Sequence, residues 1–164
     1  MRAFKHISKK EESELRKLFP TFYLDELHDD NSIIKLPISL WDKWYKDIED
    51  KENQIKFDCS DKEERERYKL FYGLAADIVR EYEVYGIFYG RGGIKSVRSR
   101  TQLIEDLTDH HFFMRPLLIP SVNAIFSITW DFTAYIFCKN QGGVSHLLDL
   151  AVARGLKLIR KPNN

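Results

Sequence analysis

The sequence contains few of the features that mark secreted, membrane or metal-bound proteins. Only two cysteines, Cys59 and Cys138, occur among 164 residues, too few for a disulfide framework and typical of a reducing compartment. No apolar run reaches the roughly 18 to 20 residues of a membrane-spanning helix. The first six residues lead into a charged segment without an apolar stretch, so no secretory signal is predicted. We therefore expect a cytoplasmic protein without a membrane partner.

Neither sign of charge dominates the chain. Lysine and arginine number 26 and aspartate and glutamate 25, a formal net charge of +1. This balance argues against nucleic acid as the main partner, because dedicated nucleic-acid binders carry a clear positive excess. Hydrophobic residues make up 43% of the sequence and aromatic residues 13%, enough to build a core. The length predicts one domain over residues 1–164.

The apolar periodicity predicts an α+β fold with a single sheet. Ser60 and Glu63 form a capping-box spacing at the beginning of one predicted helix. Helices are predicted at about 8–19, from 39 to about 50, at 60–82, at 99–107 and at 144–152. Strands are predicted at 84–89, 112–119 (an edge strand or extended segment, because of Pro116), 122–128, 132–138 and 156–159, while the acidic cluster His28–Asn31 is predicted as a loop. This pattern favours a mixed or antiparallel sheet of four to five strands, with helices mainly from the N-terminal half and a strand-helix-strand unit at the C-terminal end.

No motif in the sequence predicts catalysis, a metal site or a cofactor. The five histidines lack the short paired spacings of zinc ligands. Ile94 separates the glycines of residues 90–93 from Lys95, whereas a phosphate-binding loop needs a glycine directly before its lysine. No nucleophile elbow is present. We expect no catalytic residue, although a small enzyme using His110 and His111 stays open as a third hypothesis.

Two charged segments are candidate partner surfaces. A basic segment follows Tyr85 and Tyr89 and contains Arg91, Lys95, Arg98 and Arg100. Arginines beside aromatics can bind single-stranded nucleic acid or an acidic protein surface, but a solvated loop has the same composition. An acidic series contains Asp42, Asp47, Glu49, Asp50 and Glu52. It is either a solvated helix face or a surface that meets a basic partner.

The last third of the chain resembles a known protein family. The resemblance lies in Pro120–Asn123, in the strand junction Ile128–Thr133, in Leu147–Leu150 and in Gly155–Leu156. These segments resemble small bacterial immunity proteins encoded beside polymorphic or contact-dependent growth-inhibition toxins. The resemblance implies a cytoplasmic, non-catalytic protein that binds one cognate toxin domain, often covering its active site.

The leading hypothesis is therefore an immunity protein that neutralises a cognate toxin domain. Its predicted partner-binding residues are Asp42, Asp47, Glu49, Asp50, Glu52, Tyr89, Arg91, Lys95, Arg98 and Arg100, because aromatic and arginine anchors rimmed by charge dominate interface energy. The alternative is a nucleic-acid-binding or nucleic-acid-processing domain that uses the basic loop 91–100.

Overall fold

Within the described residues, eight strands form one antiparallel sheet. The computed structural model describes residues 3–42, 60–109, 115–129 and 132–159. The strands are β1 (Phe4–His6), β2 (Ile34–Ser39), β3 (Tyr85–Phe88), β4 (Gly93–Val97), β5 (Leu117–Ile119), β6 (Ala124–Ile128), β7 (Thr133–Cys138) and β8 (Lys157–Leu158). They lie in the order β1-β4-β3-β5-β6-β7-β2-β8, and each neighbouring pair is antiparallel.

Five α-helices occur in the described ranges. They are α1 (Lys9–Leu15), α2 (Leu24–Asp29), α3 (Asp61–Glu81), α4 (Arg100–Thr108) and α5 (Ser145–Ala153). The predicted capping box is confirmed: the Ser60 hydroxyl accepts from the Glu63 amide at 3.4 Å, and the Ser60 amide donates to the Glu63 carboxylate at 2.9 Å. The Ser99 hydroxyl caps α4 by accepting from the Gln102 amide at 3.2 Å.

The predicted sheet of four to five strands is wrong, and so is the placement of helices mainly in the N-terminal half. The fold is α+β, but the part of the chain that the structure describes forms a sheet of eight strands. Strand β1 is three residues long, too short to show alternation, and no strand was predicted where β4 lies in the basic segment. The strand predicted at 156–159 is present as the two-residue β8. Strand β2 contains Pro37 and follows the acidic cluster, and α2 occupies part of the loop predicted at His28–Asn31. Helices α4 and α5, from the second half, pack on the sheet beside α3.

Two further predictions around these elements fail. Strand β5 lies inside the sheet between β3 and β6 rather than at its edge. This is tolerated because Pro116 precedes the strand and its carbonyl still accepts from the Ile87 amide at 2.9 Å. Ser39, the predicted beginning of a helix, is the last residue of β2. Most of that predicted helix, from residue 43 to about residue 50, lies outside the described residues, as do residues 112–114 of the predicted strand 112–119.

The two faces of the sheet are covered by different parts of the chain. On one face, α3, α4 and α5 bury the larger core, which includes Phe71, Leu103 and Phe126. On the other face, the segment that contains α1 and α2 buries a smaller core around Phe19 and Phe137. Strand β6 is buried at all five positions because both layers cover it. The smaller layer positions the candidate site.

The predicted C-terminal strand-helix-strand unit is present as β7, α5 and β8, and β2 lies between its two strands in the sheet. Strands β7 and β8 both pair antiparallel with β2, which lies between them, so they run parallel to each other. At the end of α5, Arg154 Nε donates to Asp77 Oδ2 of α3 at 2.6 Å, and Nη2 donates to Oδ1 at 2.8 Å. This forked ion pair joins the two helices and lowers the pKa of Asp77 through the hydrogen bonds from Arg154.

Candidate functional site

A cleft of about 300 Å³ opens where the chain after α1 crosses the end of the β3–β4 hairpin. Its base is formed by Ile87 and Ile94, which are cross-strand neighbours and buried. Its walls are residues 19–23 on one side and residues 88–90 on the other. The cleft therefore lies on the face of the sheet that carries the smaller core.

The local sequence turns one aromatic side chain of each wall outward. Phe19 and Phe22 are 3% and 7% exposed and anchor the first wall in the smaller core, which leaves Tyr23 facing solvent. On the hairpin side, Gly90 and Gly93 have φ of +68° and +63°. Glycine adopts this left-handed backbone readily, and the resulting turn places Tyr89 at the mouth of the cleft.

Tyr23 and Tyr89 stack on each other across the mouth of the cleft. Their ring centroids are 5.7 Å apart and the rings are inclined by 16°. The two side chains are 53% and 47% exposed, and among the described residues Val152 is the one other exposed large hydrophobic side chain. Burial of the hydroxyl, followed by the negative charge of Asp25, raises the pKa of Tyr89 to about 12. We refer to Tyr23 and Tyr89 as the tyrosine pair.

Among the described side chains, the charged groups around the cleft are predominantly acidic. Asp25 and Glu26 occupy the first turn of α2, and Glu26 also accepts a hydrogen bond from the Thr21 hydroxyl. Arg16 lines the cleft, but its guanidinium is paired with Glu12 at 2.6 Å. Neither Asp25 nor Glu26 forms an ion pair within the described part of the chain. The mouth therefore combines an aromatic surface with carboxylates that have no ion-pair partner among the described side chains.

The structure does not bring the predicted basic residues together. Arg91 lies in the 3₁₀ helix Gly90–Gly92 before β4, whereas Arg98 and Arg100 follow the other end of that strand. Arg100 donates to the carbonyl of Arg80 at 3.4 Å. Lys95 lies in the middle of β4, on the face opposite Ile94. Among the predicted residues whose side chains the structure describes, Tyr89 alone lines the cleft.

Lys95 belongs instead to a small cationic cluster on the opposite face of the hairpin. Its Nζ lies 4.3 Å from the centre of the Phe88 ring, and Arg115 Cζ lies 4.1 Å from the same centre. Phe88 also contacts Phe4 edge to face, with ring centroids 5.4 Å apart. Arg115 was not among the predicted residues, because it is distant from the basic segment in the sequence.

The acidic series is mostly outside the described residues. Asp42 is exposed beyond the end of β2. Asp47, Glu49, Asp50 and Glu52 lie outside the described ranges, as do His110 and His111.

The described residues contain no group of three or more His, Cys, Asp or Glu side chains placed to hold a metal ion. Cys138 is fully buried, and burial raises the pKa of its thiol, which disfavours the reactive thiolate. The Tyr85 hydroxyl lies 3.1 Å from Glu11 and 3.2 Å from Glu83. Burial raises the pKa of Tyr85, so the hydroxyl stays protonated and ties α1 to β3.

Sequence reasoning missed Tyr23. The available signal was the run of aromatic residues after Pro20, followed by Asp25 and Glu26. That signal does not reveal the partner ring, because Tyr89 is distant along the chain.

Comparison with protein-family models, with curated proteins and with solved structures gives no match for this chain. None of the helices in the described ranges combines the length and apolar composition needed to cross a bilayer. A functional assignment therefore depends on the chemistry of the cleft.

Proposed function

We propose that this chain is a bacterial immunity protein that acts in the cytoplasm, binds a cognate toxin domain and neutralises it by covering its active or substrate-binding surface. The protein itself catalyses no reaction. The observation that carries the proposal is the tyrosine pair, held stacked and half-exposed at the mouth of a cleft. The resemblance of residues 120–156 to immunity proteins supports a toxin as the partner.

The tyrosine pair has the physical properties of a protein-binding anchor. Tyrosine provides a large contact area with few rotatable bonds, so little conformational entropy is lost on binding. Stacking already restricts both rings, and the buried Phe19 and Phe22 fix the backbone next to Tyr23. Such aromatic anchors dominate interface energies, and removing one typically costs about 2 kcal/mol or more.

The proposal is tested by binding and by protection. The probe is the C-terminal domain of the protein encoded by the neighbouring upstream gene, titrated calorimetrically with this chain. We expect nanomolar binding, loss of toxicity on co-expression, and about 30-fold weaker binding for Tyr23→Ala or Tyr89→Ala.

Val152→Ala is the matched control, because Val152 is 65% exposed on α5, against the other face of the sheet. It should change affinity by less than about twofold. Absence of binding by the wild-type chain, or equal binding by the tyrosine variants, would contradict the proposal.

The cationic cluster favours a second candidate function, nucleic-acid binding. Lys95 and Arg115 both contact the Phe88 ring, and neither forms an ion pair among the described residues. Fluorescence anisotropy with a single-stranded oligonucleotide tests this function. Nucleic-acid binding requires an affinity that falls steeply between about 50 and 200 mM salt and that decreases in Lys95→Ala and Arg115→Ala variants. An affinity that neither salt nor these substitutions change would exclude it.

A further inference from the structure

The charge and the ring surfaces of the cleft select for one kind of partner side chain. Glu26 lines the cleft, and the negative charge of Asp25 acts on Tyr89. Among the described side chains, the cation that lines the cleft, Arg16, is already paired with Glu12. An anionic ligand would be repelled by these carboxylates, which no ion pair among the described side chains neutralises. A cationic group would gain from them, and the electron-rich faces of the tyrosines attract cations as well.

Arginine fits this arrangement better than lysine. A guanidinium is planar, so it can stack on a tyrosine ring while its edge donates two hydrogen bonds to a carboxylate. An ammonium group is a compact point charge that cannot do both in one plane. Glu26 still has carboxylate lone pairs available, although it accepts from Thr21.

The local field at the cleft is consistent with this chemistry. The pKa of Tyr89 is raised to about 12 by burial and, in second place, by the negative charge of Asp25. The tyrosine therefore stays neutral over the physiological range and does not compete with the carboxylates for a cation.

We propose that the cleft receives an arginine side chain of the partner protein, with the guanidinium stacked on the tyrosine pair and hydrogen-bonded to Asp25 or Glu26. This inference depends on the proposed function for the identity of the partner. The recognition chemistry itself is testable without that partner.

The first experiment uses N-acetyl-L-arginine methylamide as the probe and the citrulline analogue as its neutral counterpart. Citrulline has nearly the same shape but no charge, so it isolates the effect of the carboxylates. We expect saturable NMR shifts of the Tyr23 and Tyr89 ring resonances with the arginine probe, and binding at least about tenfold weaker with citrulline. Equal binding of the two probes, or no arginine binding up to about 50 mM, would overturn the inference.

The second experiment removes the carboxylates without removing the rings. The double variant Asp25→Asn, Glu26→Gln should weaken binding of the arginine probe at least about fivefold. The matched control is Glu105→Gln with Asp149→Asn, which makes the same change in net charge on α4 and α5, against the other face of the sheet. Similar weakening in both double variants would indicate a nonspecific charge effect and refute the inference.

The same variants separate this inference from the proposed function. If toxin binding depends on the tyrosine pair but not on Asp25 and Glu26, the arginine assignment is wrong and the proposed function stands. If the wild-type chain does not bind the toxin, the proposed function is wrong, and the arginine probe still decides what the cleft recognises.

Discussion

Substituting Gly73 tests whether the forked ion pair between α3 and α5 contributes to stability. Gly73 lies in the middle of α3, where glycine is unfavourable. A Cβ at this position would lie 2.5 Å from Arg154 Nη1 and 2.9 Å from Cζ. The guanidinium must therefore move if the residue becomes alanine, and the movement breaks its bidentate contact with Asp77.

The expected magnitude follows from two opposing effects. Alanine gains about 0.8 to 1 kcal/mol of helix propensity over glycine. The ion pair between Arg154 and Asp77, whose side chains are 35% and 20% exposed, contributes about 1 to 2 kcal/mol after allowance for solvent screening. Gly73→Ala should therefore lower the free energy of unfolding by up to about 1 kcal/mol. In an Arg154→Ala background, Gly73→Ala should raise the free energy of unfolding by about 1 kcal/mol.

A double-mutant cycle measures both effects. Urea unfolding of the wild-type chain, Gly73→Ala, Arg154→Ala and the double variant is followed by far-ultraviolet circular dichroism. A change of sign between backgrounds gives a coupling energy of about 1 to 2 kcal/mol. Equal stabilisation by Gly73→Ala in both backgrounds would refute the reasoning, because it would mean that the guanidinium moves aside without loss.

The remaining predictions concern buried hydroxyls, a helix cap and pH. Ser39→Ala should lower the free energy of unfolding by about 1 kcal/mol, because the buried Ser39 hydroxyl donates to the Phe132 carbonyl at 2.9 Å. Ser127→Ala should be neutral or stabilising in the same urea assay, because its buried hydroxyl has no hydrogen-bond partner among the described residues; clear destabilisation would contradict this. Ser60→Ala should cost about 1 kcal/mol by removing the capping box, and an unchanged urea midpoint would count against it. Burial lowers the pKa of His28 below 6.5, so as the pH falls this imidazole takes up a proton in the unfolded chain before it does so in the folded chain. Proton uptake then favours the unfolded chain, and the folded protein loses stability as the pH falls below about 6.5. His28→Gln should flatten the decrease of Tm between about pH 7 and pH 5, whereas an unchanged slope would exclude this origin.

Elements with a long apolar period could be predicted from the sequence, and short ones could not. Helix α3 and strands β6 and β7 show periods of 3.6 or 2 over enough residues to be identified. Strand β1 contains too few residues for any period, Pro37 hid β2, and β4 lies in the basic segment, for which no strand was predicted. The strand predicted at 156–159 contains β8. The α+β class was therefore accessible, whereas the number of strands was not.

The candidate site was less accessible than the fold. Tyr89 was identified from its basic neighbours, yet the structure pairs it with Tyr23 and surrounds it with carboxylates. This juxtaposition depends on how the segment containing α1 and α2 crosses the β3–β4 hairpin, a long-range contact that local patterns do not contain. The cation–ring contact of Arg115 with Phe88 was missed for the same reason.

The order of the strands has a consequence for the behaviour of this protein at high concentration. Both outer strands, β1 and β8, are very short, while the strands beside them are five and six residues long. An outer strand of two or three residues offers a second molecule few backbone donors and acceptors with which to extend the sheet, which limits self-association into fibrils. Deleting β1 would uncover the longer β4, and such a shortened chain should aggregate more readily than the intact one.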